Sequence, residues 1–147
     1  MAGTQGGFSP DAAQQLLEQV FAPWVQDLSL RVDAIFGADD PAGAGALLRM
    51  AYSDRLCREG GIICGQALMS FADTAMVFAV SAAAGSYCPM TTVDQTTHFL
   101  KPAVGTDVLA DARIVRLGKS MAFGRVILSS ASDAKPVAMV SSAYALL

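Results

Sequence analysis

The sequence predicts an α+β domain in which a curved antiparallel sheet wraps a single long apolar helix. Three observations predict it. Gln66 to Ala84 is a run without internal Gly or Pro, apolar on every side, which reads as one helix buried all round. Four β segments with short connectors follow it, and two more precede it. A sheet that curls around such a helix covers most of its circumference, and a second subunit covers the side left open.

Taken in order, residues 1–8 read as a disordered tail, and residues 9–147 as one domain. Ser9-Pro10-Asp11 is a helix start, with Ser9 as N-cap and Pro10 in the first helical position. Leu16, Leu17, Val20, Phe21 and Trp24 carry the helical spacing, and Pro23 ends the helix. Leu28 to Phe36 alternates in strand fashion, Gly37 to Gly45 is a loop, and Ala46 to Tyr52 is a second strand. Ser53 to Gly65 is a loop containing Gly60-Gly61, and Gly85 closes the long helix as its C′ residue. The last four strands are expected over Thr91–Leu100, Asp107–Leu117, Met121–Ser130 and Pro136–Leu146. Turns at Lys101 to Gly105, Leu117 to Ser120 and Ser132 to Lys135 join them.

Composition narrows the function classes. The chain has 147 residues, 53% hydrophobic and only 16% charged, more apolar surface than one small domain hides. A homo-oligomer, dimer or tetramer, is expected to cover the excess. The net charge of −3 comes with no basic cluster, which argues against nucleic acid as a partner. Cys57, Cys64 and Cys88 are odd in number and match no metal spacing. They fit a reducing, cytoplasmic location, and no metal is implied. The first residues lack the basic and apolar regions of a signal peptide. No membrane span is expected at Gly60 to Val93, because Asp73 lies in its middle and Gly and Pro interrupt it.

Asp73 is the only formal charge between Glu59 and Asp94, and it lies inside the apolar helix. Burying a carboxylate without partners is costly, so such a residue commonly has chemical work. The plain alternative is a structural Asp73 bonded to Ser70 one turn back. His98 is the only histidine, and alternation from Thr92 places it on the face of Thr92, Asp94 and Thr96. Cys64 precedes a helix N-terminus, where a thiol can be activated, although a small packed residue accounts for it better. Arg113 and Arg116 read as surface charges, and Met69, Met76 and Met121 as packing or as an adaptable pocket lining.

The stretch Gly65-Gln66-Ala67-Leu68-Met69-Ser70-Phe71-Ala72-Asp73-Thr74-Ala75 resembles the helix of hotdog-fold acyl-CoA thioesterases of the phenylacetate-pathway type. There the pattern is Asn, a short loop, His-Gly-Gly, then Leu-x-Asp-x-Ala. Thr92 to Pro102 resembles the next strand of that family, Leu117-Gly118-Lys119-Ser120 its hairpin, and Val137 to Val140 its last strand. The similarity spans about residues 28–146 in order.

The resemblance implies a single hotdog domain with an added N-terminal helix, joined edge to edge in dimers, with a pair of dimers as the fuller assembly. It implies hydrolysis of an acyl-CoA to free acid and CoA, with no cofactor beyond the CoA of the substrate. Asp73 would be nucleophile or general base, the Gly65 and Gln66 amides would hold the thioester oxygen, and Thr92 of a neighbouring subunit would orient the reactants. Arg58 and Lys119 would meet CoA phosphates, and Cys64 would border the substrate. The chain departs from the pattern at Cys64, where the family has His, at Gln66, where it has the second Gly, and at Arg58, where it often has Asn. These departures favour a second reading, an acyl-CoA-binding hotdog without turnover. Other readings fit less well. Acting on acyl carrier protein would want a basic docking surface, a hotdog hydratase would want a histidine soon after Asp73, and a purely structural oligomer leaves Asp73 unexplained.

Overall fold

A computed structural model describes residues 7–147. Most of the expected tail, 1–8, lies outside the described residues; within them, Phe8 stacks on Phe78 with ring centroids 6.3 Å apart. Helix α1 spans Pro10–Val20, and the Ser9 hydroxyl caps it by accepting from the Ala12 amide at 3.1 Å. Pro23 does not simply end that helix. It opens a separate short one, α2, Pro23–Gln26, where a missing N–H costs nothing at the first position. The Gln26 side chain ties α2 back to α1 by donating to the Leu17 carbonyl at 2.6 Å.

Six strands form one antiparallel sheet: β1 Leu30–Phe36, β2 Gly45–Met50, β5 Met90–Phe99, β6 Val108–Leu117, β7 Met121–Ser130 and β8 Pro136–Leu146. Their order across the sheet is β1-β2-β6-β7-β8-β5, so β5 is an edge strand. The predicted loop before the long helix is more ordered than expected. It holds a two-stranded ribbon, β3 Cys57–Arg58 against β4 Ile62–Ile63, closed through Gly60 in the left-handed region at φ 78°.

Helix α3, Gly65–Ala84, fills the concave face of the sheet and ends on Gly85 at φ 85°. Phe71, Phe78 and Val80 are fully buried there, each stabilising the fold by about 1.5–3 kcal/mol. Phe21, just beyond α1, stacks on the same Phe78 at 5.7 Å, so the N-terminal segment covers part of the helix that the sheet leaves bare. At the opposite wall, Gly124 of β7 is a glycine because an added Cβ would meet the Met76 sulfur of α3 at 2.5 Å.

Its composition predicts a helix buried all round, but one face is open. Gln66, Met69, Ser70, Asp73 and Val77 form an open stripe, at the 3- and 4-residue spacing of one helix face. The apolar residues in that stripe, Met69 and Val77, hide it from a composition-based reading.

Candidate active site

Asp73 lies in the open stripe of α3 and is half-buried. Two hydroxyls hold it. Thr92 of β5 donates from Oγ1 to Asp73 Oδ1 at 2.8 Å. Tyr144 of β8, only 1% exposed, donates from Oη to the same Oδ1, and its one proton is shared with the Asp73 carbonyl oxygen 2.9 Å away. Among the described residues nothing donates to Oδ2. The carboxylate is therefore clamped by one oxygen and presents the other, with its lone pairs, to the groove. Burial, the charge of Asp73 and the hydrogen bond to it push the Tyr144 phenol well above its usual range, so Tyr144 stays a donor. Ser70 is not the partner of Asp73; its hydroxyl donates back to the Gln66 carbonyl at 2.8 Å.

The Thr92 contact falls within one chain rather than across to a neighbour. A bulge makes it possible. β5 and β8 pair as Thr92↔Tyr144 and then Asp94↔Ala143, so Val93 is the extra residue. The bulge turns both Thr92 and Gln95 toward α3. Gln95 Nε2 donates to the Met69 carbonyl at 3.0 Å, while Gln95 Oε1, Thr97 Oγ1 and Ser142 Oγ are buried without a partner among the described residues. Buried polar atoms of this kind commonly hold ordered water. The same bulge overturns the expected placing of His98. Past it the alternation flips, and His98, opposite Met139, is exposed on the outer face, away from Thr92 and Asp73. Met69, Ser70, Asp73, Thr92 and Gln95 together line a groove of about 240 Å³.

The other predicted residues gather at the start of α3. Cys64 is its N-cap, but its side chain makes no capping bond, so the first amides stay open. The ring of Phe99 lies over Gly65, where a Cβ would stand 3.1 Å from it. Arg58, Gly65, Leu68, Phe99 and Lys101 border a cleft of about 310 Å³. Arg58 is exposed there, while Lys101 is paired with Asp133 at 3.0 Å. Lys119 is on the β6–β7 hairpin, beside the strand end where Leu146 bonds Ser120. That is the Met90 end of β5, and Arg58 is near the Phe99 end, roughly 30 Å away along ten residues of strand. One chain does not bring the two cations together.

Nor does it bring Gly65 to Asp73. Eight residues of helix separate them by about 12 Å, too far for one carbonyl group to touch both. Asp73 is level with Thr92 and Gly65 with Phe99, so antiparallel pairing of two β5 edges about a two-fold axis would bring the Asp73 of one chain opposite the Gly65 of the other.

Tyr144 and Gln95 are the residues that the sequence reading missed. Alternation from Val140 through Ser142 puts Tyr144 on the inner face of the last strand, a signal that was available. Its height against Asp73 depends on the pairing order of β5, β7 and β8.

Comparison with known proteins gives the same outline. A profile described as the thioesterase superfamily matches residues 60–137. The chain is 28% identical over 132 residues to a Halobacterium salinarum protein named only as a candidate esterase, covering 86% of this chain and 84% of that one. A solved structure of a candidate thioesterase from a Silicibacter species is 28% identical, with a TM-score of 0.80 and 97% and 96% of the two chains covered. The E. coli PaaI protein, from the phenylacetic acid degradation operon, is 19% identical and shares the fold, with a TM-score of 0.76 over 92% and 90% of the chains.

Proposed function

This chain belongs to the thioesterase superfamily, and we propose that it hydrolyses an acyl-CoA thioester to the free acid and CoA in a site shared by two subunits. The observation that carries the reading is the one-sided clamp on Asp73, whose Oδ1 takes two hydroxyls while Oδ2 faces the groove. The free oxygen acts in one of two ways. It takes a proton from water as the water oxygen bonds to the thioester carbon, or it attacks that carbon itself. The carbonyl oxygen, becoming negative, rests on the Gly65 and Gln66 amides of the second chain, where the open helix start supplies donors and the positive dipole end. Collapse breaks the carbon–sulfur bond, and CoA leaves as a thiolate that takes up a proton. The buried polar edge of Gln95, Thr97 and Ser142 suits the holding of that water. Tyr144 and Thr92 touch no substrate in this scheme; they hold Asp73. Arg58 of the second chain receives CoA phosphate in the cleft beside Gly65, and Lys119 of the first chain approaches it from the far end of the paired β5 strands. Three free cysteines suit work in the cytoplasm.

Cys64 where the family has His, and Arg58 where it often has Asn, favour a second reading, acyl-CoA binding without turnover. CoA release from a panel of short-chain, long-chain and aromatic acyl-CoAs, measured beside their binding, separates the two. Turnover of a panel member supports hydrolysis; binding without release of CoA supports the second reading.

A further inference from the structure

The two sides of the α3 N-terminus differ in chemistry. Gly65 and Leu68 face the cleft that holds Arg58 and Lys101. Gln66, Ala67 and Ser70, on the opposite face of the same turns, border a separate cavity of about 250 Å³. Its walls are mostly apolar, with Trp24, Leu28, Leu56, Cys64 and Ala67, and the exposed Asp27 and Arg55 complete the lining. Ser70 borders both this cavity and the groove of the same chain's Asp73. The Ser70 hydroxyl is spent on the Gln66 carbonyl and offers the cavity no donor.

Trp24 is the odd member. It is the only tryptophan in the chain, it stands on the four-residue helix α2, and it is 57% exposed. Leu28, which follows α2, is 3% exposed and forms part of the fixed wall. A large aromatic ring left open beside an apolar cavity is a surface with something to cover. Macromolecular partners fit poorly, because the cavity is small and lies beside the Gly65 and Gln66 amides.

We infer that this cavity receives the acyl group of the substrate and that Trp24 is its specificity-determining wall. The inference rests on the hydrolytic reading for the position of the thioester. With its carbonyl oxygen on the Gly65 and Gln66 amides, the thioester carbon has the basic cleft on one side and the apolar cavity on the other. CoA, with its phosphates, takes the side of Arg58; the acyl group takes the side of Trp24. The cavity, about 250 Å³ with mostly apolar walls, suits an apolar acyl group longer than acetyl, for which octanoyl is the probe. Cys64 then fits where a larger side chain would narrow the entrance.

Because Trp24 is the sole tryptophan, its own emission reports the occupant. The full-length protein is titrated with S-octyl-CoA, a thioether that cannot be hydrolysed, and separately with CoA. A saturable shift of Trp24 emission with S-octyl-CoA and none with CoA is expected. No shift with S-octyl-CoA, or an equal shift with CoA, overturns the inference. In parallel, kcat/KM is measured for octanoyl-CoA and acetyl-CoA with wild type, Trp24→Ala and Leu56→Trp. The octanoyl-to-acetyl ratio is expected to fall at least about tenfold in both variants, a discrimination that a misfit of one methylene can supply. An unchanged ratio in both variants also overturns it. Emission that responds to S-octyl-CoA in a protein that releases no CoA leaves the cavity assignment standing and defeats hydrolysis; hydrolysis without the emission response does the reverse.

Discussion

Replacing Tyr144 with Phe removes one oxygen atom and nothing else from the clamp on Asp73. The ring stays, and at 1% exposure it continues to fill the space under β8, so the fold is retained. The loss is one hydrogen bond from a neutral donor to a carboxylate, worth about 1.5–3 kcal/mol. If all of it acted on the transition state, kcat would drop about 10- to 150-fold. Thr92 still holds Oδ1 at 2.8 Å, and water reaches the half-buried carboxylate. The lower part of that range, about 10- to 30-fold, is therefore expected. Because Tyr144 touches Asp73 and not the substrate, KM should move by no more than about threefold. The assay is CoA release, followed with a thiol reagent, with circular dichroism as a check on folding. An unchanged kcat in a folded Tyr144→Phe protein, or a loss confined to KM, would refute the reasoning that the clamp serves the chemistry.

A mixture of two inactive chains tests the shared site. Gly65→Pro removes one amide donor at a position where proline suits a helix start, since Cys64 already has an extended backbone at φ −68° and ψ 151°. Co-refolded with Asp73→Asn, it should recover about a quarter of wild-type activity, because half of random dimers are mixed and each has one intact site; no recovery contradicts the two-chain site. Gly124→Ala should cost about 1–3 kcal/mol in urea unfolding, because the added Cβ meets Met76 at 2.5 Å and the Arg113 carbonyl at 2.8 Å. The raised Tyr144 phenol gives a sign for alkaline pH. Above about pH 10 the unfolded chain loses that proton while the folded one keeps it, so stability is whole below that pH and falls as pH rises toward the folded value. The fall in the urea midpoint should be smaller in Tyr144→Phe.

The sequence carries the fold through two strong signals. The uninterrupted apolar run from Gln66 to Ala84 sets the central helix, and Gly85 sets its end. Turn residues such as Gly105 and Gly118 mark off the later strands to within a residue or two. Asp73 was legible as a candidate because its charge stands out in an apolar helix, and Thr92 only through the resemblance to the thioesterase strand that follows that helix. What escaped was geometry of single residues. The bulge at Val93 has no composition of its own, yet one extra residue moves His98 to the outer face and Gln95 to the inner. Tyr144 lies 71 positions from Asp73, and only the placing of β8 between β7 and β5 brings them together. The open stripe on α3 was hidden because Met69 and Val77 are as apolar as the buried residues beside them.

The central claim is that the free oxygen of Asp73 acts on a thioester. Asp73→Asn keeps size and shape, and its amide oxygen can still accept from Thr92 and Tyr144, but the acting position becomes an NH₂ group without a basic lone pair. The measurement is the rate of CoA release from the best acyl-CoA of the panel, for wild type and Asp73→Asn, beside the affinity of both for S-octyl-CoA. Release that falls at least about a thousandfold with binding retained is the predicted result, in keeping with the loss of a general base or nucleophile. Asp73→Asn that releases CoA at near the wild-type rate would contradict the claim.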